Sequence, residues 1–153
     1  MVRINKNSLN ALITASWLNR SMIALVYIWF GLLKLLGTSP AEGLVTKLFT
    51  ITLAPWMNAP SFLMLLGIGE CLIGFLWLFP RLTKMAFWFM IGHMLTTFMP
   101  IFFLPNETWQ SFFALTLIGQ YIIKNLVLVS SAWFIYIFTL KDMVYLNKVK
   151  NKS

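Results

Sequence analysis

Charged residues are scarce in this sequence, and acids are the scarcest of them. Only 10% of the 153 residues are charged and 59% are hydrophobic, whereas soluble domains average about 25% and about 45–50%. Because so few polar side chains cannot cover a folded surface, the composition excludes an ordinary soluble domain and predicts a lipid surrounding. Four acids against twelve Lys and Arg give a net charge of +8. Since these bases lie mostly between apolar segments and at the chain ends, membrane topology accounts for the charge, and we expect no nucleic-acid partner.

Cysteine, histidine and aspartate are too rare for several kinds of site. The single cysteine, Cys71, allows no intrachain disulfide, and the single histidine, His93, cannot form a two-histidine haem site within one chain. The only aspartate, Asp142, lies near the C-terminus, so a Ser-His-Asp arrangement is not supported. Walker loop, dinucleotide fingerprint, CxxC and HExxH patterns are all absent. We therefore expect no metal site, and no motif names a cofactor.

Four apolar runs predict an all-α integral membrane protein, a four-helix bundle that forms one domain over residues 1–153. The spans are placed at residues 21–37, 61–79, 82–104 and 111–140. The first is short, and Leu9–Leu18 is helix-compatible and can extend it. Pro100 is expected to kink or end the third helix. Residues 1–20 lack the apolar core and cleavage site of a signal peptide, so the first span is expected to act as the insertion signal.

The distribution of basic residues predicts the orientation. If the N-terminus is cytoplasmic, nine Lys and Arg side chains lie inside and only Lys47 lies outside, an asymmetry that the positive-inside rule favours. The inside set is Arg3, Lys6, Arg20, Arg81, Lys84, Lys141, Lys148, Lys150 and Lys152. Both termini are therefore expected in the cytoplasm, and the membrane is expected to be the bacterial inner (cytoplasmic) membrane.

The first external loop is predicted to contain a short amphipathic helix, about Pro40–Leu53. Ser39–Glu42 has the pattern of a capping box, with Ser39 as the N-cap residue and Pro40 at the first helical position. The apolar residues that follow share one helical face, which would lie on the outer surface or cap the bundle. Asn106 and Glu107 are similarly expected to open the fourth span with a cap and an acid.

Each apolar run contains one interior ionisable residue: Lys34, Glu70, His93 and Lys124. A charge at the centre of a bilayer helix costs about 2.5–3.5 kcal/mol on insertion scales, so such residues are normally paired and functional. From the helical rise, both lysines lie about 21 Å above the cytoplasmic edge, with Glu70 and His93 near the midplane. Nearby glycines allow the helices to approach closely. We therefore predict one intramembrane pocket with a positive excess, formed by Lys34, Glu70, His93, Gln120, Lys124 and Asn125.

Structural roles for these residues remain open alternatives. Lys34 can extend to the outer surface from the end of its span. Glu70 can be protonated and merely hold helices together, and His93 can be a satisfied core residue rather than a ligand. A structural role is hardest to assign to Lys124, because it lies too deep to reach the surface easily.

Several segments, taken in their order and spacing, resemble DoxX-like membrane proteins. They are Arg20 followed by Val26–Lys34, then Ser39–Glu42, the Gly-x-x-Glu pattern ending at Glu70, Arg81, His93 with Thr96, Thr97 and Pro100, and Gly119–Asn125. The resemblance covers about residues 20–140. It implies a four-helix membrane bundle with both termini inside, associated with quinone-linked sulfur oxidation or with resistance to oxidative or reactive-chlorine stress. It supplies no catalytic residue.

Three functions are compatible with the sequence. In the first, the pocket binds a quinone or another small lipophilic molecule, as in a subunit of a quinone-linked oxidoreductase. Lys34 and Lys124 would hold a carbonyl or anionic oxygen, and Glu70 and His93 would relay protons. The second is a small anion or proton transporter, although no inverted repeat is evident. The third is a non-catalytic scaffold or assembly subunit, which contacts a partner membrane subunit or a second copy of the chain.

Overall fold

A computed structural model describes residues 6–150, with side chains described for residues 9–140, and the chain is mostly helical. The helices are α1 Lys6–Leu35, α2 Glu42–Thr52, α3 Ala59–Trp77, α4 Thr83–Phe98, α5 Pro100–Phe103, α6 Pro105–Thr108 and α7 Leu117–Lys150. A single 3-10 turn, Pro80–Leu82, joins α3 to α4. Two short antiparallel strands, β1 Trp109–Ser111 and β2 Ala114–Leu115, form a hairpin before α7. This hairpin is the one departure from the predicted all-α class in the described part of the chain.

Within the described residues, four segments are long and apolar enough to cross a membrane: Leu9–Leu35, Ala59–Trp77, Pro80–Phe103 and Leu117–Leu140. Their number agrees with the prediction, and they suggest an integral membrane protein. The first begins before the predicted residue 21, because the helix-compatible run from Leu9 joins it without a break. The third breaks at Met99 immediately before Pro100, as predicted, because proline has no N–H to continue the helical ladder.

The four long helices close into a ring. α1 packs against α3, α3 against α4, α4 against α7, and α7 against α1. The buried core uses residues at helical three- and four-residue spacing, including Tyr27, Trp77, Phe87, Met90 and Ile135. Many large apolar side chains face outward instead, as expected when lipid replaces water as the solvent.

α1 and α3 form the closest helix pair because glycines line their contact. A Cβ atom at Gly31 would lie 2.7 Å from the backbone oxygen of Gly67, and one at Gly67 would lie 2.9 Å from the oxygen of Gly31. Farther along, a Cβ at Gly74 would lie 2.9 Å from the oxygen of Ala24. Small residues at these positions therefore let the two backbones touch, as in other membrane helix pairs.

The two ends of the bundle differ. At one end, which we call the α2 end, α1 ends and α3 and α7 begin. There α2 packs over α3, and the ring centres of Phe49 and Phe62 are 5.1 Å apart. At the other, the turn end, Pro80–Leu82 connects α3 to α4. Accordingly, α1 and α4 run toward the α2 end, whereas α3 and α7 run away from it. This polarity decides where the polar side chains point.

The predicted capping box before α2 is wrong, although α2 itself exists near the predicted position. α2 begins at Glu42, and the residue in the cap position, Ala41, makes no side-chain cap. An extra turn at Pro40 and Ala41 separates Ser39 from the first helical turn, so Glu42 N–H donates to the Ser39 backbone oxygen instead, at 3.1 Å. The Ser39 hydroxyl is buried and finds no hydrogen-bond partner within the described residues.

The start of the fourth span also differs from the prediction. Asn106 and Glu107 belong to the one-turn helix α6, which leads into the hairpin rather than into α7. The observed cap of α7 is Thr116, whose hydroxyl oxygen accepts a hydrogen bond from Gly119 N–H at 3.2 Å. The long helix therefore begins at Leu117 rather than at residue 111.

Candidate functional site

An ion pair between Lys34 and Glu70 is enclosed by the bundle. The Lys34 ammonium donates to both carboxylate oxygens of Glu70, at 2.6 and 2.9 Å. The side chains are only 5% and 7% exposed. The pair therefore joins the last turn of α1 to the middle of α3, and the alternative in which Lys34 extends to the surface is wrong.

Helix polarity explains why these two side chains meet. The Cα–Cβ bond of a helical residue tilts toward the N-terminus of its helix. On α1, which runs toward the α2 end, this tilt directs Lys34 back into the bundle. On α3, which runs the opposite way, the same tilt directs Glu70 toward the α2 end. The charges therefore approach each other from two antiparallel helices.

His93 extends the ion pair into a chain of hydrogen bonds. Its Nε2 lies 3.0 Å from Oε1 of Glu70, and its Nδ1 lies 3.2 Å from the hydroxyl of Tyr27. Because a carboxylate can only accept, Nε2 carries the proton, and Nδ1 of the neutral ring then accepts from the Tyr27 hydroxyl. We call Tyr27, Lys34, Glu70 and His93 the polar cluster. Its hydrogen bonds run from α1 through α4 and α3 back to α1.

The polar cluster is electrically balanced. One ammonium and one carboxylate offset each other, and the imidazole and phenol are neutral in the tautomer just described. The predicted positive excess required a second lysine, Lys124, and the structure does not bring that residue here. Buried opposite charges with further hydrogen bonds are the arrangement that best offsets the cost of removing both from water.

Lys124 and Gln120 lie on the exposed surface of α7, apart from the polar cluster. The Lys124 ammonium sits 4.8 Å from the centre of the Tyr121 ring, and the Gln120 amide donates to the Leu115 backbone oxygen at 3.3 Å. Asn125 is half-buried, but within the described residues its side chain makes no hydrogen bond to the polar cluster. The expectation that all six residues share one pocket is therefore wrong in its α7 part.

The immediate surroundings of the polar cluster are mostly apolar or satisfied. Met90, nearly one turn before His93, and Met94, the residue after it, are buried in the core. The hydroxyls of Thr96 and Thr97 both donate to the backbone oxygen of His93, at 2.7 and 3.1 Å, rather than to its ring. Of the three ionisable side chains, His93 is the most accessible, at 15% exposed. Access to the polar cluster is therefore expected on the imidazole side.

An apolar groove of about 390 Å³ lies between α4 and α7. Its lining is Phe87, Trp88, Ile91, Leu126, Val129, Ser130 and Trp133. None of these residues belongs to the polar cluster. The groove opens outward, and the Ser130 hydroxyl is the one hydroxyl in its lining. Its apolar lining suits the acyl chains of lipids.

A second buried base, Arg20, lies near the turn end. It is 3% exposed, and its guanidinium donates to the Thr139 hydroxyl at 2.6 Å and to the Trp77 backbone oxygen at 3.4 Å. The same group lies 6.0 Å from the centre of the Trp77 ring. Arg20 therefore connects α1 with α3 and α7 inside the bundle, whereas the charge pattern of the sequence predicts a place at the cytoplasmic edge.

The sequence contains a signal for both residues that were overlooked, Tyr27 and Arg20. Along α1, Arg20, Tyr27 and Lys34 follow one another at intervals of seven residues. Residues seven apart lie on the same helical face, so a face that buries Lys34 also buries the other two.

Chemically, the polar cluster can hold a proton and pass it on. One ring nitrogen of His93 faces a carboxylate and the other a phenol, and an imidazole can bind a proton at one nitrogen and release it from the other. Comparison of the chain with protein-family models, with curated proteins and with solved structures gave no match.

Proposed function

We propose that this chain is a DoxX-like integral membrane protein, redox- or stress-associated, that binds a quinone or another small lipophilic molecule at the polar cluster. The observation that supports it is the continuous hydrogen-bonded chain from Tyr27 through His93 and Glu70 to Lys34 inside an apolar bundle. Ionisable residues at such depth are costly and mark functional sites by default.

The roles follow from the order of the chain. His93 is the most accessible of the ionisable side chains. Its Nδ1 exchanges the hydrogen bond with the Tyr27 hydroxyl for one with the ligand oxygen, and the proton is transferred there. Glu70 holds the proton-bearing nitrogen, and Lys34 keeps the Glu70 carboxylate charged. Reduction of a quinone to a quinol needs two electrons and two protons. This chain supplies proton transfer and binding, and a partner oxidoreductase subunit with its own redox cofactor supplies the electrons.

The DoxX-like resemblance and the polar cluster involve the same parts of the chain. Tyr27 and Lys34 lie in the Val26–Lys34 segment, Glu70 ends the Gly-x-x-Glu pattern, and His93 begins the segment that ends at Pro100. The resembling segments therefore include every member of the cluster, which supports treating the cluster as the site of the function. The exposed position of Gln120 and Lys124 removes them from the proposed ligand set.

The proposed topology places the turn end and both termini in the cytoplasm of a bacterial inner membrane. It rests on the charge asymmetry between the nine predicted inside bases and Lys47. Of these nine, Arg20 is buried in the bundle, and Arg3 and Lys152 lie outside the described residues. The α2 end then faces outward, with α2 as a short amphipathic cap. Phe49 of α2 is buried, while Lys47 is exposed and bonded to Glu107 at 2.6 Å, as expected of an amphipathic helix at a membrane surface.

The test uses the full chain purified from its membrane in lipid nanodiscs. Organic extraction should release a quinone, and a short-chain quinone added to emptied protein should raise its thermal midpoint. His93→Gln and Glu70→Gln should abolish that shift, whereas Glu107→Gln, which breaks the exposed pair with Lys47, should leave it intact. No shift in the parent chain, or the same shift in all four proteins, would overturn the proposal.

A scaffold or assembly role is the second candidate, because the cluster can also act as a structural fastening. Each member of the polar cluster has a hydrogen-bond partner within the cluster, so it can hold three helices together without any ligand. That role predicts a constant copurifying membrane subunit and Glu70→Gln protein that is less stable yet still assembles. A proton flux in liposomes that disappears in Glu70→Gln would instead favour a transporter.

A further inference from the structure

A polar face on the outside of α7 has no role in the proposed function. Gln120, Tyr121 and Lys124 are all exposed, and Lys124 lies one turn after the adjacent pair Gln120 and Tyr121. Leu117 and Val127, on the same face, are 66% and 69% exposed and therefore meet lipid. Of the three acids with described side chains, Glu70 and Glu107 are each bonded to a different lysine, and Glu42 forms no ion pair with a described residue. The ammonium of Lys124 thus sits in the lipid-facing surface with an aromatic ring as its neighbour.

The depth of Lys124 follows from the observed start of α7. The apolar stretch Leu117–Leu140 has 24 residues, which is about 36 Å of helix against a hydrocarbon core of about 30 Å. Lys124 comes seven residues after Leu117, so its Cα lies roughly 7 Å inside the hydrocarbon at the α2 end if the overhang is shared equally. An extended lysine side chain can cover most of that distance.

Helix polarity directs this lysine to the membrane surface. α7 runs away from the α2 end, so its side chains lean back toward that end. The position of the ammonium over Tyr121, one turn closer to the helix start, agrees with this direction. Lys34 lies near the same end but on a helix of opposite polarity, so its side chain leans inward to Glu70. The same rule therefore directs Lys34 away from the α2 end and Lys124 toward it, and the outward face of α7 leaves Lys124 exposed.

We infer that Lys124, with Tyr121 and Gln120 beside it, binds the phosphate of an anionic phospholipid in the leaflet at the α2 end. The ammonium supplies the opposite charge, the phenol and amide supply hydrogen-bond donors, and the protruding Leu117 and Val127 contact the acyl chains. If the partner of Lys124 were a carboxylate on a neighbouring membrane helix, the lysine side chain would have to extend along the membrane plane. The Lys124 ammonium is instead directed toward the start of α7. This site is independent of the polar cluster.

The experiment measures lipid binding to the full chain in detergent by native mass spectrometry and by thermal shift. Phosphatidylglycerol should bind and raise the thermal midpoint by several degrees more than phosphatidylcholine. Lys124→Gln should reduce bound phosphatidylglycerol at least fivefold, Lys124→Arg should retain it, and Lys47→Gln should behave as the parent chain. Lys47 is a matched control because it is an exposed lysine at the same end of the molecule.

Three results would overturn the inference. One is equal phosphatidylglycerol binding by the parent chain and Lys124→Gln. Another is equal stabilisation by inorganic phosphate, which would show an anion site without lipid preference. The third is a crosslink in native membranes from Lys124 to another polypeptide, which would assign this face to a protein partner. Since Lys124 is exposed, the Gln variant is expected to fold, and an unchanged thermal midpoint without added lipid checks this.

Discussion

The Lys34 ammonium lies 2.6 and 2.9 Å from the two carboxylate oxygens of Glu70, although the residues are 36 positions apart and belong to different helices. Both side chains are nearly inaccessible. Removing two charges from water is expensive, and their attraction offsets this cost only with close geometry and additional hydrogen bonds. His93 supplies the additional bond to Glu70. The stability of the bundle should therefore depend on both partners being present.

Single substitutions in this ion pair should be more harmful than the double substitution. Glu70→Gln or Lys34→Met leaves one buried charge without its partner, which typically costs about 3–5 kcal/mol. Lys34→Met/Glu70→Gln removes both charges, so it should recover a large part of that loss. Reversible unfolding of the four proteins in mixed micelles would give the coupling energy by a double-mutant cycle.

The exposed pair Lys47–Glu107 provides the matched control for this cycle, since its N–O distance is also 2.6 Å. Its side chains are 56% and 34% exposed, so water screens the attraction and the coupling should be about 0–1 kcal/mol. Equal coupling energies for the two pairs would contradict the assignment of Lys34–Glu70 as a buried ion pair.

The sequence predicted the bundle because its strongest signals are long and independent of tertiary contacts. Four apolar runs of membrane-spanning length predicted four spans, and Pro100 predicted the helix break observed at Met99. Three of the six proposed site residues, Lys34, Glu70 and His93, do come together. They lie on interior faces whose three- and four-residue spacing is visible in the sequence.

The position of Lys124 could not be predicted because it depends on a local detail at the start of the helix. The hairpin that precedes α7 shifts the first residue from 111 to Leu117 and so brings Lys124 closer to the α2 end. Its turn contains Phe113 in the left-handed conformation, with φ 61°, which is uncommon for a bulky residue and is not signalled by the sequence. Lys124 follows the buried Ile122 by two residues, so it lies on the face of α7 opposite the core.

Tyr27→Phe should change the protonation pattern of the His93 ring. The phenol hydroxyl is 3.2 Å from Nδ1, and without it Nδ1 loses its donor and the preference for a proton on Nε2 weakens. The chain has one histidine, so ¹⁵N-histidine labelling gives a single imidazole to follow. In the parent chain the two nitrogens should have the shifts of a protonated Nε2 and an unprotonated Nδ1, and in Tyr27→Phe both should move toward their average.

The matched control for this measurement is Tyr136→Phe. Tyr136 also packs against the core, but its ring stacks on that of Phe87, with the ring centres 4.5 Å apart, and it makes no hydrogen bond to His93 in the described part of the chain. Tyr136→Phe should leave the imidazole shifts unchanged. If both variants shifted the ring signals equally, the Tyr27–His93 hydrogen bond would make no specific contribution to the tautomer preference.

Gly31→Ala should force α1 away from α3. The added Cβ would lie 2.6 Å from Cys71 Sγ and 2.7 Å from the Gly67 backbone oxygen, and a backbone atom cannot move without moving its helix. Overpacking of this kind costs about 1–3 kcal/mol, and it should also lengthen the nearby Lys34–Glu70 contact. Gly69→Ala is the control, because its Cβ would meet no atom within 4 Å, and alanine favours the helix by up to about 1 kcal/mol. Unfolding that is no easier for Gly31→Ala than for Gly69→Ala would refute close backbone contact.

Arg20→Lys should weaken the turn end even though it keeps the positive charge. Only the planar guanidinium can reach the Thr139 hydroxyl on α7 and the Trp77 backbone oxygen on α3 together, at 2.6 and 3.4 Å. Hydrogen bonds to charged groups contribute about 1.5–3 kcal/mol, so a loss of this size is expected in the free energy of unfolding.

Thr139→Val removes one of the two acceptors of Arg20. The losses in unfolding free energy caused by Thr139→Val and Arg20→Lys should be less than additive in the double variant, because both changes break the same contact. Arg81→Lys, at an exposed position on the adjacent turn, should stay within about 0.5 kcal/mol of the parent chain. If Arg20→Lys were as mild as Arg81→Lys, Arg20 would be an interfacial charge, as its place in the sequence first suggested, and not a link between three helices.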